Sequence, residues 1–489
     1  ALVLPIHFLR TSSMQSVHLD YGDSQMEVSL PDSATIFRYG KEGNALPSID
    51  SLKATRKALE NPLGFPPLRE LGEKGKKVVI GFPDRVKGGS HATAHRRVAI
   101  PMIIEELQKA GTELEDITLL CCMGLHRKNH LEDWLDYLGK DIVDQFYPDR
   151  LINHDAEAED LCDFGEDGHG NVVQCNRLMA EADVPIVIGH CAGNPYGGFS
   201  GGYKMIVTGM AGWRSIASHH CPKTMHRKDW LGASTQSHMR HQFKSIGQAM
   251  EKAIGKKFFA IDAVIGQFAE VLDVQAGEIE AVEKATWPLA ERWTNLNLDM
   301  PAPADVLVMG LPRDFHYGPG MGSNPVLLSL AIAGQLSRCW HAFREGGVII
   351  AAAICDGDFN DQWFPSYQKT FETCQEFTTV TDFLRSEEML KIATDKEFCR
   401  LYSEEYAYHP FHAMSMLSGG SVLEKWCSRV ILVGAKAPKY ARALGYTPAR
   451  NFDEALQLAE RLSGKDPRIL CTPNCFTAGA AVHLHVNSN

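Results

Sequence analysis

Six short apolar runs recur along the chain: Val78-Val79-Ile80-Gly81, Ile117 to Cys121, Val184 to Gly189, Val306 to Gly310, Val348 to Ala353 and Val430 to Gly434. Each has the length of a strand, and the stretches between them change period. Val98 to Leu107 and Val326 to Phe343 keep apolar residues at helical spacing, while Asn451, with Glu454 three residues on, opens a helix through Leu462. Strands alternating with helical patterns predict an α/β protein of parallel or mixed sheets covered by helices.

A chain of 489 residues exceeds one ordinary hydrophobic core. Thr294 to Ala304, with Pro301 and Pro303 between a polar helix-like stretch and a new strand, is the best linker. Two domains are expected, residues 1–300 and 301–464, each a sheet covered by helices. The tail, residues 465–489, reads as one or two strands that can rejoin either domain.

With 44% hydrophobic residues, 22% charged residues and eight tryptophans, the chain lacks the signature of disorder. A formal charge of -11 argues against broad nucleic-acid binding and leaves room for a local basic pocket. The apolar start, Ala1 to Ile6, is interrupted at His7 and Arg10, too soon for a signal or membrane segment, so a cytoplasmic protein with no membrane partner is expected. Thirteen cysteines without a CxxC pair argue against a disulfide framework, and Cys471 with Cys475 lacks the second pair of a zinc knuckle.

The most unusual stretch, Asn194-Pro195-Tyr196-Gly197-Gly198-Phe199-Ser200-Gly201-Gly202-Tyr203-Lys204, follows the run ending at Gly189. Its glycines suit close backbone approach to a ligand around Ser200, Gly201 and Gly202. It is not a Walker A loop, because Tyr203 separates Gly202 from Lys204 and Met205 stands where a Ser or Thr would hold magnesium. Ser218-His219-His220-Cys221 and His226 gather imidazoles and a thiol suited to zinc, nickel or iron. Adjacent histidines point apart, so at most one of His219 and His220 is expected to ligate.

Gly124-Leu125-His126-Arg127 follows another strand, where a histidine is placed to take and return a hydroxyl proton. Phe82-Pro83-Asp84-Arg85 and the loop from Gly88 to Arg96 offer Arg85 or Arg96 as a carboxylate clamp. Gly318 to Pro325 misses the dinucleotide pattern, because Ser323 stands at the last glycine. It joins a strand to a helix capped by Ser323 or Asn324.

In order and spacing, Gly124-Leu125-His126-Arg127, Gly198 to Lys204, and Gly209-Met210-Ala211 leading to His220 resemble the lactate racemase family of nickel-pincer proteins. The resemblance runs along most of the chain and implies a cofactor in the cleft between two α/β domains. That cofactor is a pyridinium mononucleotide whose thioamide and thiocarboxylate hold nickel through two sulfurs and a ring carbon. The resemblance implies covalent attachment to Lys204 and a square-planar nickel site completed by His220. It makes His126 the acid/base and Arg85 a substrate contact. The implied enzyme is a racemase or epimerase inverting C2 of a 2-hydroxy acid by reversible hydride transfer. Its partners are then the small hydroxy acid and the proteins that make and install the cofactor.

Departures from the family pattern fall in the supposed site. Asn194 stands at the second acid/base histidine, and Phe82 at an aspartate just before the first arginine. Leu330 falls near a substrate-contacting lysine and Phe411 near a tryptophan. His190, Asp84, Tyr196, His91 and His95 are the candidates to replace the missing base or meet the ligand. The polar loop from Gly88 to Arg96 and the segment from Arg313 to His316 favour a substrate larger or more polar than lactate, such as a sugar acid. Three other readings stay open: a pincer-dependent oxidoreductase that releases the keto acid, a protein that holds the nickel nucleotide without turnover, and a zinc hydrolase using His219 and His220.

Overall fold

The computed structural model describes residues 13–43, 49–232, 234–477 and 482–487. The apolar start and the last two residues of the tail lie outside them. Two sheets organise the chain. The first runs, edge to edge, through Val271–Glu278, Phe259–Ile265, Val184–Cys191, Val78–Pro83, Ile117–Cys122 and Leu151–Asn153. Its neighbours are parallel except for the first pair. Val78–Pro83 and Val184–Cys191 are buried at every position, which is why they read as unbroken apolar runs. Parallel neighbours need a crossover, and the helix His95–Lys109 supplies it between Val78–Pro83 and Ile117–Cys122.

The second sheet runs Thr447–Ala449, Arg429–Val433, Phe343–Ala352, Ala304–Pro312, Met14–Gly22 and Ser24–Pro31. Ile469–Thr472 also pairs with Ala304–Pro312 and carries Thr35–Ile36 on its other side. The helix expected after Asn324 is capped by that side chain, which accepts from the backbone N–H of Val326 at 3.0 Å. Asn451 caps Phe452–Ser463 through the Glu454 N–H at 2.9 Å.

The structure corrects the sequence expectation in three places. The amino-terminal hairpin sits on the second sheet, with Tyr21 opposite Leu311, although the sequence groups residues 1–300 together. Its alternating Val17, Leu19, Val28 and Leu30 pack with Val306, Val308 and Ile350, a non-local match that periodicity cannot reveal. The expected linker contains the strand Asn295–Leu298, which pairs with His483–Val486 of the tail. The helix read from Val326 to Phe343 ends at Cys339, because Phe343 opens the next strand. All thirteen cysteines are free. Among the described residues, no helix is long and apolar enough to cross a membrane.

Candidate active site

Strand order builds the site. Val184–Cys191, Val78–Pro83 and Ile117–Cys122 are neighbours and run the same way, so their carboxyl ends bring His190, Asp84 and the loop to His126 side by side. A cavity of about 320 Å³ lies over these ends. Its opposite wall comes from the second half of the chain, including Tyr317, Leu330, Arg338 and His412.

His126 lines the cavity and is anchored from behind. Its Nδ1 lies 2.8 Å from Asp84 Oδ2, while Asp84 Oδ1 accepts from the Val86 N–H at 3.2 Å. Burial opposes ionisation of Asp84. The neighbouring His126, its hydrogen bond, Arg85 and Lys87 more than offset that, and the carboxyl sits below its ordinary range. An ionised Asp84 only accepts hydrogen bonds, so it fixes the proton on Nδ1 and leaves Nε2 as the working nitrogen.

The glycine-rich stretch folds into a tight approach to the helix Tyr203–Gly209. Gly202 has φ +57°, and its N–H donates to Asp262 Oδ2 at 2.8 Å. The Tyr203 N–H donates to Glu283 Oε1 at 2.9 Å, and Arg240 pairs with the same carboxylate at 3.1 Å. A Cβ on Gly202 would lie 2.1 Å from Glu283, so packing behind the loop demands this glycine. Gly202 is absent from the cavity wall, contrary to the expectation of ligand contact, whereas Ser200, Gly201 and Lys204 are on it. Ser200 Oγ donates to the His190 carbonyl at 2.6 Å and ties the loop to its strand.

Lys204 projects from the first turn of that helix into the cavity, and its Nζ donates to Asn194 Oδ1 at 3.0 Å. Burial, with Lys87 and Arg240 nearby, holds its amine well below the ordinary lysine range. A depressed pKa makes a buried amine more readily available as a nucleophile.

His219 and His220 divide into a support and a presenter. His219 Nε2 contacts the Val207 carbonyl at 3.3 Å, which can only accept, so that nitrogen carries the proton. Burial pushes the His219 pKa down to about 3, leaving Nδ1 as an acceptor. His220 Nδ1, 2.7 Å away, therefore donates to it, and the cavity-lining His220 ring keeps a free lone pair on Nε2. Tyr196 stacks on that ring at 5.1 Å with an angle of 5°.

Other expectations fare unevenly. His190 lines the cavity with both ring nitrogens buried and unpartnered, and the Tyr196 hydroxyl is likewise buried without a partner. Asn194 is on the wall but is occupied with Lys204 and the Tyr196 N–H. Arg85 is not on the wall. Its Nη2 donates to the Tyr317 carbonyl at 3.1 Å and its guanidinium lies 4.7 Å over Trp363, so the expected substrate contact is drawn away by the second half of the chain. Arg96 is fully buried and grips the carbonyls of Pro83, Asp84, Lys87 and Gly89, which excludes it as a clamp. His91 binds the Ala269 carbonyl and His95 the Ile261 carbonyl, and neither lines the cavity.

His226 is held by Ser418 and Ser421, Arg313 by Asp23 and Asp356, and Phe411 packs on Trp213, all off the wall. Lys87, Tyr317, Arg338 and His412 were not singled out by sequence. Only Lys87 carried a signal, its place at a strand end before paired glycines.

Glu157, Cys399 and His409 form a second cluster of metal-binding residue types. His409 Nδ1 accepts from the Phe411 N–H at 3.0 Å, so the neutral ring carries its proton on Nε2 and donates it to Glu157 at 2.7 Å. That tautomer is the wrong one for metal ligation at Nε2, and the cluster is a hydrogen-bonded tie.

Residues 21–232 match the family model described as the lactate racemase N-terminal domain. The chain is 24% identical to a lactate racemase of Thermoanaerobacterium thermosaccharolyticum over 470 residues, covering 94% of this chain and 98% of that one. It is also 24% identical to a lactate racemase of Lactiplantibacillus plantarum over 237 residues, 48% of this chain and 53% of that one. The structure of the Thermoanaerobacterium lactate racemase apoprotein superimposes with a TM-score of 0.68 at 22% identity, covering 96% of this chain and all 100% of the other. A Thermotoga maritima protein shares the fold with a TM-score of 0.51 at 16% identity, covering 89% and 97%.

Proposed function

We propose that the chain is a member of the lactate racemase family, whose N-terminal domain its residues 21–232 match, and that it inverts C2 of a 2-hydroxy acid with a nickel-pincer nucleotide attached to Lys204. It is an enzyme of the isomerase class, as its racemase relatives are. One observation carries the finer reading: a buried amine with a depressed pKa, an imidazole with a free lone pair and an aspartate-anchored histidine converge on one cavity.

The residues fit the group. Lys204 offers the nucleophile for the thioamide link, His220 Nε2 the imidazole ligand for nickel, and Ser200 with Gly201 the adjoining wall. The buried polar atoms of His190 and Tyr196 have no protein partner, as donors and acceptors meant for a bound ligand would. Held there, the group would supply reversible hydride-accepting chemistry at C2.

The protein positions and moves protons. His126 Nε2 takes the substrate hydroxyl proton, and ionised Asp84 stabilises the resulting imidazolium; a placed acid or base contributes about 10²- to 10⁴-fold. Asn194 has no titratable proton and holds Lys204 instead. His190 takes the second acid/base role, because burial keeps its ring neutral and neither nitrogen is committed. Tyr196 offers its free hydroxyl to the substrate. The polar side chains His316, Tyr317 and His412 on the wall support a hydroxy acid more polar than lactate, such as a sugar acid. Maturation calls for the proteins that make and install the nucleotide.

The test uses protein made together with the pincer-nucleotide biosynthesis enzymes. Single stereoisomers of 2-hydroxy acids, from lactate to aldonic acids, are followed by chiral chromatography. Both starting isomers are expected to reach one mixture. Accumulation of a 2-keto acid without inversion would instead identify an oxidoreductase, the alternative that Asn194 opens by removing one acid/base.

A further inference from the structure

The proposed substrate is an anion, and the cavity must answer its charge. The family resemblance assigns that task to Arg85 and to the position of Leu330. Arg85 is committed to the Tyr317 carbonyl and to Trp363, whose ring it shares with Arg127 at 4.2 Å. Leu330 lines the cavity and has no charge. Neither brings a cation to the substrate.

Three lysine or arginine side chains are on the wall among the described residues: Lys87, Lys204 and Arg338. Lys204 is reserved for the cofactor. Arg338 already donates to Gln335 and the Cys475 carbonyl, and lies 5.0 Å over both Tyr39 and Phe476. Lys87 remains. Its backbone is rigidly set, because Arg96 binds the carbonyls on either side of the turn and Gly88 and Gly89 hold φ of +90° and +72°. A Cβ on Gly88 would lie 2.3 Å from the His190 ring, so this loop packs directly on the proposed second acid/base.

The Lys87 amine reaches that of Lys204 and makes no ion pair among the described residues. Burial holds it below its ordinary range. Asp84, whose charge acts on Lys87, is hydrogen-bonded to His126 and not to this amine among the described residues, so an arriving carboxylate supplies a direct partner.

We infer that Lys87, rather than Arg85, holds the C1 carboxylate of the hydroxy acid. The inference rests on the proposed function. Lys87 and His126 line the same cavity and both act on Asp84, so this anchor sets the neighbouring C2 hydroxyl toward His126.

Two measurements test it. In the loaded enzyme, Lys87→Met is expected to raise KM roughly 10- to 100-fold with kcat changed far less, Lys87→Arg to recover part of that loss, and Arg85→Met to leave KM within about 3-fold. Calorimetry on Lys204→Met protein, which cannot take the cofactor, reads the anchor alone: gluconate or lactate binds, the corresponding amide does not, and adding Lys87→Met removes binding. An unchanged KM in Lys87→Met, a large rise in Arg85→Met, or no carboxylate-dependent binding overturns the inference. Absence of inversion by loaded wild-type protein, with the calorimetric dependence on Lys87 intact, would overturn the proposed function and leave the anion site standing.

Discussion

Asp84 Oδ2 lies 2.8 Å from His126 Nδ1, and the two residues come from the ends of adjacent parallel strands. Asp84 follows Phe82 by two residues, just past the end of the strand Val78–Pro83. Phe82 is fully buried and off the cavity wall, whereas Asp84 lines it.

Asp84→Asn tests what the pair does. An asparagine amide that donates to Nδ1 forces the proton onto Nε2, which can then no longer accept from the substrate. We expect kcat to fall by at least about 10²-fold while loading on Lys204 is unchanged. Loss of loading in step with activity would assign Asp84 to folding instead. Because its folded pKa lies below the ordinary 3.8, Asp84 adds stability above that value, and the contribution fades as pH falls through the folded pKa. Asp84→Asn should therefore flatten the loss of Tm below pH about 4.

Lys204→Met is expected to raise the Tm of the cofactor-free protein at pH 7. The folded pKa of Lys204 is held well below 10.5, so between the two values the unfolded chain binds the extra proton and wild-type stability climbs with pH. Removing the amine removes that slope, and the two proteins converge as pH approaches the unfolded value. A lower Tm for the variant at every pH would contradict a neutral buried amine.

Gly202→Ala should destabilise by about 2–4 kcal/mol, from a left-handed backbone and an overpacked contact with Glu283. Denaturant titration of the cofactor-free protein checks this. A neutral result would show that the loop gives way behind the site.

The parts of the site legible in the sequence share a feature: each lies within a few residues of a strand end or in a local motif. Lys204 follows a glycine run, and His126 and His190 close apolar strands. Arg85 is the counter-example. It carries the right chemistry at the right strand end, yet Trp363 and Tyr317 turn it aside, and nothing local encodes that contact. His412 sits within the buried helix Pro410–Gly420, where its apolar neighbours disguise a cavity-facing imidazole. The amino-terminal hairpin, which the sequence groups with residues 1–300, joins the second sheet for the same reason, since its partner strand begins at Ala304.

Covalent attachment at Lys204 is the central claim, and peptide mass spectrometry with metal analysis tests it most directly. The protein is produced with the pincer-nucleotide biosynthesis enzymes, beside a lactate racemase as loading control. A mass increase confined to the Lys204 peptide, with nickel approaching one atom per chain, is the expected result. An unmodified Lys204 and no nickel, in a preparation where the control is fully loaded, would contradict it.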